Sequence, residues 1–409
     1  MREELRVPIV PDGARSAGQG APEPASDSEI AVRHFPLKIA YFVHDLNDPA
    51  VRRRVLMLRA GGAEVRLAGF RRAQAAPAEV EGATAIDLGR THDARLGKRA
   101  LSVIRSLGRE DALAASAGAD VVLARNLEML AIAARARARH APRASLVYEC
   151  LDIHRAMLST KPAGAALRAL ERRLMQRVDA LIVSSPAFLD GYFTPRQRWK
   201  GPSLLVENKV LDVAVRSPDR AELPTMAGPP WRIGWFGVIR CRKSLDMLAA
   251  LARRFDGAVE VIIRGRPARH VFDDFDGVTA STPHLQFGGP YSPDEIAALY
   301  ADVHFTWAID YYEEGQNSSW LLPNRLYEGG LHGAVPLALS TVETGRWLKR
   351  KGVGVLLDDP LPDLETFFEA LTLEAYKAER RKLLSVPDNA FRAGLADCRE
   401  LVEALGRRR

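Results

Sequence analysis

The most constraining feature of this 409-residue chain is an alternation of short apolar segments with helical patterns that starts twice. It begins with Ile-Ala-Tyr-Phe-Val at 39–43 and begins again about 190 residues later with Trp-Arg-Ile-Gly-Trp-Phe-Gly-Val at 231–238. Each segment is too short for a helix, and each is followed by apolar residues at helical spacing. Strands that alternate with helices favour parallel sheets covered on both faces, so the sequence predicts an α/β fold with two Rossmann-like domains.

Composition along the chain suggests where these domains begin and end. Residues 1–35 combine Gly, Pro, Ser, Ala and charge without periodicity, which predicts a disordered lead. We expect the first domain at 36–215, the second at 216–386 and a C-terminal amphipathic helix at 387–409 that docks back onto the fold. The apolar stripe of that helix is formed by Phe391, Leu395, Cys398, Val402 and Leu405.

Charge and cysteine content narrow the class of protein. The formal net charge is +7, from 58 Lys and Arg against 51 Asp and Glu, which favours an anionic partner. The three scattered cysteines fit neither a disulfide framework nor a spaced zinc site. No uninterrupted apolar stretch is long enough to span a membrane. We therefore expect a cytoplasmic protein whose membrane contact, if it has one, is peripheral on the inner face of the plasma membrane.

The loop after the strand at 231–238 has the chemistry of a diphosphate site. Gly237 is followed by Arg240, Arg242 and Lys243 just before a helix, which offers a close backbone, free amides and positive charge. A Walker A loop does not fit, because Arg242 stands where its second glycine must be. The alternative interpretation is a solvated basic start of a helix.

A second group of candidate residues lies at the start of a later predicted helix. Asn324 can cap this helix, Arg325 adds a cation, and Glu328 lies one turn further on the same face. Gly329 and Gly330 weaken the helix, which indicates close approach of a ligand or of another backbone. A carboxylate at the position of Glu328 can accept hydrogen bonds from ribose hydroxyls, although a surface acid would look the same.

Together these motifs carry a resemblance to a known family. The two Rossmann-like halves, Gly-x-x-x-x-x-Lys from Gly237 and Asn-Arg-Leu-Tyr-Glu-Gly-Gly-x-x-Gly-x-x-Pro from Asn324 resemble the GT-B nucleotide-sugar glycosyltransferases of group 1 or family 4 type, including those of bacterial exopolysaccharides. The resemblance runs from about residue 37 to the end. It implies an acceptor-binding first domain and a donor-binding second domain that face a cleft.

The resemblance also implies a function and roles for the motif residues. A sugar would pass from a nucleotide-diphosphate sugar to a carbohydrate or lipid-linked oligosaccharide in polysaccharide biosynthesis. Arg240 and Lys243 would hold the donor's diphosphate. Asn324 and Arg325 would lie near it, and Glu328 would bind the ribose.

One family pattern, Glu-x7-Glu, is incomplete in this sequence. Its first acid falls on Trp320. Glu313 and Glu314 lie in a longer loop nearby and are candidates to serve the donor sugar, and we take Glu314 as the catalytic candidate. The stereochemical outcome stays open.

The acceptor hydroxyl needs a base if the sugar inverts, and the loop after the first strand supplies two candidates. His44 and Asp45 lie at the carboxyl end of that strand, on the side of the expected cleft. The alternative is that they satisfy turn amides and cap the following helix.

We expect no metal and no cofactor besides the nucleotide sugar. Fixed cations and helix amides can stabilise the charge that grows on the departing diphosphate. The Asp-x-Asp pattern at Asp274 and Asp276 fits the metal motif of another glycosyltransferase fold, but its polar surroundings favour a surface helix or loop.

Other partners and activities fit the sequence less well. Arg95, Lys98, Arg99 and Arg105 belong to a basic amphipathic segment that suits an anionic membrane surface, or else the solvated face of an ordinary helix. Nucleic acid is not expected, because aromatic residues make up only 7% and no reading module is present. A dehydrogenase lacks its Gly-x-Gly-x-x-Gly motif. A nucleotide-sugar epimerase and a non-catalytic nucleotide-sugar binding protein remain as alternatives.

Overall fold

The computed structural model describes residues 36–91, 102–213 and 220–407. Its strands are β1 Lys38–Val43, β2 Glu64–Arg71, β3 Glu79–Val80, β4 Ala83–Arg90, β5 Val121–Arg125, β6 Ser145–Cys150, β7 Ala180–Val183, β8 Ser203–Leu205, β9 Val210–Leu211, β10 Trp231–Ile239, β11 Val259–Pro267, β12 Leu285–Phe287, β13 Phe305–Trp307, β14 Val335–Leu339, β15 Val355–Leu357 and β16 Arg392–Ala393. The lead at 1–35 and the predicted membrane-binding cations Arg95, Lys98 and Arg99 lie outside the described residues.

The strands form two large sheets. The first has the order β3-β4-β2-β1-β5-β6-β7-β8 and the second the order β12-β11-β10-β13-β14-β15. Their strands pair in parallel, apart from the short antiparallel pair of β3 and β4. The second sheet has the strand order of a doubly wound dinucleotide-binding fold. The prediction of an α/β protein with two Rossmann-like sheets is confirmed.

Helices connect the strands. The α-helices are Pro49–Ala60, Glu110–Ala114, Leu127–His140, Arg155–Leu158, Pro162–Met175, Pro186–Phe188, Thr194–Gln197, Arg242–Phe255, Phe275–Ser281, Ile296–Ala301, Asn317–Trp320, Asn324–Leu331, Glu343–Lys351, Pro360–Ala370, Leu373–Ser385 and Leu395–Gly406. Single turns of other helix types are Leu189–Phe193, Arg220–Glu222, Arg269–Val271, Pro293–Glu295 and Asp388–Ala390. None of the described helices is both long and apolar enough to cross a bilayer.

The first helix shows how local sequence sets these elements. Pro49 occupies its first turn, and the carboxylate of Asp48 caps it by accepting the amide of Ala50 at 2.7 Å. Val51 and Val55, at helical spacing on one face, are fully buried against the first sheet.

The last helix packs against the first half of the chain, as predicted. Cys398 and Leu405 are fully buried among residues of the first sheet. The approach is so close that a Cβ on Gly61 would lie 2.2 Å from the carbonyl oxygen of Cys398. The helix begins at Leu395 rather than at 387, because a turn and strand β16 precede it, and β16 pairs with β9. Leu395 was predicted on the buried stripe but is 46% exposed.

Candidate active site

The strand order places three loops at the crevices of the two sheets. The order reverses between β1 and β5 in the first sheet and between β10 and β13 in the second. Ligands of open α/β sheets bind beyond the carboxyl ends of strands at such reversals. The loop 44–48 follows β1, the loop 240–241 follows β10, and the loop 308–316 follows β13.

Two glycines bring β10 and β11 together beneath the second crevice. Gly237 and Gly265 both have positive φ angles, of +114° and +140°. A Cβ on Gly265 would lie 1.7 Å from the carbonyl oxygen of Gly237, so only glycine fits there. A Cβ on Gly237 would point towards Arg325, whose Nη1 lies 4.0 Å away. The predicted donor residue Gly237 therefore leaves backbone open beside a guanidinium.

The two predicted diphosphate cations are both paired with carboxylates. The guanidinium of Arg240 lies 3.2 Å from Asp310, and the ammonium of Lys243 lies 3.0 Å from Glu314. Both carboxylates belong to the loop after β13. Sequence reasoning proposed Glu314 and Lys243 separately and did not single out Asp310.

Aromatic rings of the same loop support these cations. The guanidinium carbon of Arg240 lies 5.0 Å from the ring centre of Tyr312, and the Lys243 nitrogen lies 4.1 Å from that of Tyr311. Such cation–π contacts add to the ion pairs. The loop after β13 therefore covers both cations from one side.

Arg325 and Glu328 lie on the helix Asn324–Leu331, next to Gly237. The guanidinium of Arg325 approaches the carbonyl oxygens of Phe236 and Ile309 at 3.5 and 3.4 Å, and its Nε atom is buried with no hydrogen-bond partner in the described structure. Glu328 accepts a hydrogen bond from the hydroxyl of Tyr300 at 3.3 Å. Burial raises the pKa of Glu328.

The start of this helix differs from the sequence prediction in one respect. Its N-cap is Pro323, not Asn324, and no side chain caps it. Asn324 is instead the first helical residue, and its side chain is exposed. The amide of Leu326 donates to the carbonyl of Pro323 at 3.0 Å, so the amides of Asn324 and Arg325 are the ones that can bind an anion.

The two glycines of the helix meet side chains. A Cβ on Gly329 would lie 2.4 Å from Thr306, and one on Gly330 would lie 2.2 Å from the ring of Phe391. Packing against β13 thus explains Gly329, and packing against the chain near β16 explains Gly330. These side-chain contacts take the place of the ligand or backbone contact that the sequence suggested.

In the first half, His44 pairs with Asp48, a residue that sequence reasoning did not single out as a site residue. The Nε2 atom of His44 lies 3.0 Å from Oδ2 of Asp48, and Nδ1 is buried without a partner in the described structure. Burial opposes ionisation of Asp48, but the hydrogen bond and charge of His44 outweigh it and lower the pKa of Asp48 to about 2. Asp45 accepts the amide of Asn47 at 3.1 Å, and Arg72 lies 3.4 Å from it.

A buried ion network lies beneath the loop 44–48. Glu149 accepts from Nε of Arg54 at 2.6 Å and from Nε of Arg125 at 2.8 Å, and Tyr41 donates its hydroxyl to the same carboxylate. Arg125 also donates to the carbonyl of Ala50 at 3.1 Å, at the start of the first helix. Burial opposes ionisation of Glu149, but the charges of Arg125 and Arg54 lower its pKa to about 2.

This network holds the first crevice in place. Arg125 ends β5 and Glu149 lies near the end of β6, which flank the loop 44–48 at the reversal of strand order. In the sequence, two consecutive apolar strands each carry a charged residue at or near their end. This pattern could have identified the buried network, but the sequence analysis did not include it.

The halves meet beside the cations. Burial raises the pKa of Asp152, which follows β6 of the first sheet, and the nearby charge of Arg240 opposes that rise. The amide of Ile153 donates to the side-chain oxygen of Asn317 at 3.1 Å. Arg240 therefore lies near the segment that follows β6 of the first half, where the two halves are in contact.

Trp320, which occupies the place of the family acid, belongs to this contact. Its carbonyl accepts a hydrogen bond from the hydroxyl of Ser185, and a Cβ on Gly191 would lie 2.7 Å from its indole. It therefore packs the helix Asn317–Trp320 against the first half.

The two carboxylates of the Asp-x-Asp pattern have structural partners. Asp274 caps the helix Phe275–Ser281, and Asp276 pairs with Arg269.

Comparison with known proteins agrees with this geometry. Residues 48–207 match the glycosyl transferase 4-like domain. The succinoglycan biosynthesis protein ExoL of Rhizobium meliloti (strain 1021) is 45% identical over 375 residues, which cover 90% of this chain and 93% of that protein.

Solved structures share the fold at low sequence identity. Anabaena Alr3699/HepE in complex with UDP has a TM-score of 0.65 at 12% identity, over 90% of this chain and 99% of that one. The sucrose-phosphate synthase of Thermosynechococcus elongatus has a TM-score of 0.62 at 15% identity, over 90% and 94%. These likenesses support the arrangement of two sheets around a cleft.

Proposed function

Because this chain belongs to the GT-B exopolysaccharide glycosyltransferases with a glycosyl transferase 4-like domain, we propose that it extends a lipid-linked intermediate of a succinoglycan-type polysaccharide. It is a glycosyltransferase that uses a nucleotide-sugar donor, and the comparisons favour this activity over an epimerase. The relative's role in succinoglycan biosynthesis supports the choice of polysaccharide, and the complex of HepE with UDP supports a uridine nucleotide as the donor.

The observation that carries the donor site is the convergence of three cations at the reversal of the second sheet. Arg325 lies beside the open backbone of Gly237, Arg240 lies in the loop that follows β10, and Lys243 lies in the first turn of the next helix. We propose that the first two hold the diphosphate and that Arg325 and the uncapped helix amides at Asn324 bind its remaining oxygens.

We propose that Glu328 binds the ribose. It lies one helical turn beyond Asn324, on the face of Arg325, and it is held by Tyr300. Burial raises the pKa of Glu328 because the ionised carboxylate loses its hydration. Hydrogen bonds donated by two ribose hydroxyls would replace the lost hydrogen bonds to water.

We propose that donor binding exchanges one set of anions for another. In the absence of donor, Asp310 and Glu314 occupy the two cations. A diphosphate carries its charge on oxygens that can bridge both, so it replaces the carboxylates. Glu314 is thereby released from Lys243 beside the donor sugar, where a carboxylate can stabilise the oxocarbenium-like centre.

On the acceptor side we propose His44 as the residue that takes the proton of the attacking hydroxyl. While Nε2 donates to the Asp48 carboxylate it carries the ring proton, so that proton must move to the buried Nδ1 before Nε2 can take the proton of a hydroxyl that replaces Asp48. Asp48 then stays next to the ring and stabilises its charged form. Asp45 supports the turn through its bond to Asn47.

The test of the donor site is a thermal-shift titration with nucleoside diphosphates and their sugars. We expect UDP to raise the melting temperature of the native chain by mass action. Lys243→Ala and Arg240→Ala should each remove most of the shift, and Glu328→Gln should weaken it. Arg254→Ala is the matched control, since Arg254 is an exposed cation at the far end of the Lys243 helix and pairs with Glu369. Full shifts in the first three variants would contradict the assignment.

A transfer assay distinguishes the proposed catalytic roles of His44 and Glu314 from a role in donor binding. With a radiolabelled nucleotide sugar and lipid extract as acceptor, we expect His44→Gln and Glu314→Gln to lose transfer at least 100-fold while keeping the UDP shift. If His44→Gln transfers at the native rate, another group takes the proton.

A further inference from the structure

Glu207 is a carboxylate at the contact between the two halves, outside the donor and acceptor groups. It follows β8 of the first sheet, in a segment at 206–213 that we call the crossover segment. Its side chain has only 15% of its surface exposed. The oxygen Oε1 of Glu207 accepts hydrogen bonds from the hydroxyl of Tyr327 at 3.2 Å and from the indole nitrogen of Trp347 at 3.1 Å. Both donors belong to the second half, so Glu207 joins the two halves.

The neighbours of Glu207 along the chain are bonded to the first half. The amide of Val206 donates to the carbonyl of Val183, at the end of β7, at 2.8 Å. Arg53, on the first helix, donates to the carbonyl of Lys209, and the ammonium of Lys209 lies 3.7 Å from the Glu207 carboxylate. These contacts give the carboxylate a defined place, from which it can orient other groups.

The two donors to Glu207 are buried in the second half. The rings of Tyr327 and Trp347 pack edge to face, with their centres 6.1 Å apart. Burial and the charge of Glu207 raise the pKa of Tyr327, so its hydroxyl stays protonated and donates. Without Glu207 this buried hydroxyl would lack its acceptor, which is more costly than the bond itself is stabilising.

Tyr327 lies directly before Glu328 on the helix Asn324–Leu331. Successive residues of an α-helix point about 100° apart, so Tyr327 reaches the crossover segment while Glu328 reaches Tyr300. The two glycines of this helix pack against side chains by shape, which allows small rotations. A hydrogen bond has a preferred direction, so the bond from Tyr327 to Glu207 restricts the rotation of the helix.

We propose that Glu207 is a positioning residue for ribose recognition: through Tyr327 it sets the rotation of the helix Asn324–Leu331 and so directs Glu328 at the two ribose hydroxyls. The site thereby selects ribonucleotides over deoxyribonucleotides. This inference rests on the proposed role of Glu328. Glu207 itself touches no ligand and acts by holding the helix that does. A small displacement of a binding group is enough to weaken the contacts that it makes.

The experiment compares the binding of UDP and of 2′,3′-dideoxyuridine diphosphate to the full chain by isothermal titration calorimetry. The native chain should bind UDP about 30-fold more tightly, because only UDP can donate two ribose hydrogen bonds to Glu328. Glu328→Ala should bring this ratio close to one. Glu207→Ala should lower it to about 3 or less by weakening the binding of UDP. The affinity for the dideoxy nucleotide should stay unchanged, since that ligand does not use Glu328.

Three further variants separate positioning from folding. Glu207→Gln keeps an oxygen that accepts both hydrogen bonds, so its ratio should equal the native one. Tyr327→Phe removes the hydroxyl and keeps the ring, so its ratio should fall, and it decides the question if Glu207→Ala does not fold. Phe368→Leu is the control for lost stability, because Phe368 is buried in the second half against Phe255 and Phe305. It should lower the melting temperature and keep the native ratio.

The outcomes distinguish this inference from the donor site itself. No binding of UDP, or equal affinity of the native chain for the two nucleotides, would overturn the ribose assignment of Glu328 and this inference with it. A native ratio that depends on Glu328 but persists in Glu207→Ala and Tyr327→Phe overturns the inference and leaves the donor site in place. An equal fall of the ratio in Phe368→Leu also overturns it, because lost stability would then account for the effect.

Discussion

Replacing Glu149 by Gln should lower the free energy of unfolding of the first half of the protein. The loss should be larger than for the same kind of replacement at any exposed Asp or Glu. Glu149 is fully buried and binds Arg54 and Arg125 at 2.6 and 2.8 Å. An amide leaves both guanidinium groups buried without a counter-charge, and loss of one partner from a buried ion pair costs about 3–5 kcal/mol. The pKa of Glu149 falls from its ordinary 4.5 to about 2, which corresponds to roughly 3 kcal/mol for the ionised form.

Urea unfolding at pH 7 measures this effect. With a slope of about 2 kcal/mol per molar urea, a loss of about 4 kcal/mol lowers the midpoint by about 2 M. Hydrogen exchange of the β5 and β6 amides shows whether the loss lies in the first half. Glu171→Gln is the matched control, because Glu171 is equally buried but its carboxylate is held by Tyr148, Tyr192 and Gln197. Its replacement should cost only about 1 kcal/mol.

The pH dependence gives a second check. A lowered folded-state pKa stabilises the protein above the unfolded value of 4.5, and this contribution is lost as the pH falls through about 2. The difference between the native chain and Glu149→Gln should therefore be constant from pH 7 to pH 5 and shrink below that. Equal midpoints for Glu149→Gln and Glu171→Gln at pH 7 would refute the reasoning.

Three further changes test close contacts. Gly265→Ala places a Cβ 1.7 Å from the carbonyl of Gly237 and forces a positive φ, so we expect a loss of at least about 3 kcal/mol in thermal unfolding and a weaker UDP shift. Gly61→Ala should displace the last helix, because its Cβ would lie 2.2 Å from the carbonyl of Cys398, and limited proteolysis should then cut that helix faster than in the native chain. Trp320→Ala should destabilise the contact between the halves by about 2 kcal/mol, seen in thermal unfolding, whereas an unchanged melting temperature would mean that the indole contributes no packing.

The fold could be predicted from the sequence because its strands are buried on both faces. A parallel sheet covered by helices needs apolar runs such as 39–43 and 231–238, and these are visible without any tertiary information. The ends of the helices were harder to predict from the sequence. Pro323 rather than Asn324 occupies the N-cap position, and Leu395 lies outside the buried stripe, because in both cases tertiary contacts decide the first turn of the helix.

The site could be predicted only where its residues are close in sequence. Gly237, Arg240 and Lys243 lie within seven residues of one another, so their grouping was visible in the sequence. Their partners Asp310 and Glu314 lie about 70 residues away and reach them only through the strand order. The assignments of His44, Asp45 and Glu314 to catalysis stay predictions until their variants are measured.

The carboxylates that pair with Arg240 and Lys243 would make the proposed donor site selective. A small anion that contacts one guanidinium or ammonium must break an ion pair of 3.2 or 3.0 Å and leaves a carboxylate next to itself. It gains little from the exchange, since like charges at that distance repel. A ligand that spans both cations and also engages Glu328 through neutral hydroxyls has enough favourable contacts to complete the exchange. We therefore expect orthophosphate and other abundant cellular anions to compete poorly with the donor, so that the enzyme stays available in a phosphate-rich environment.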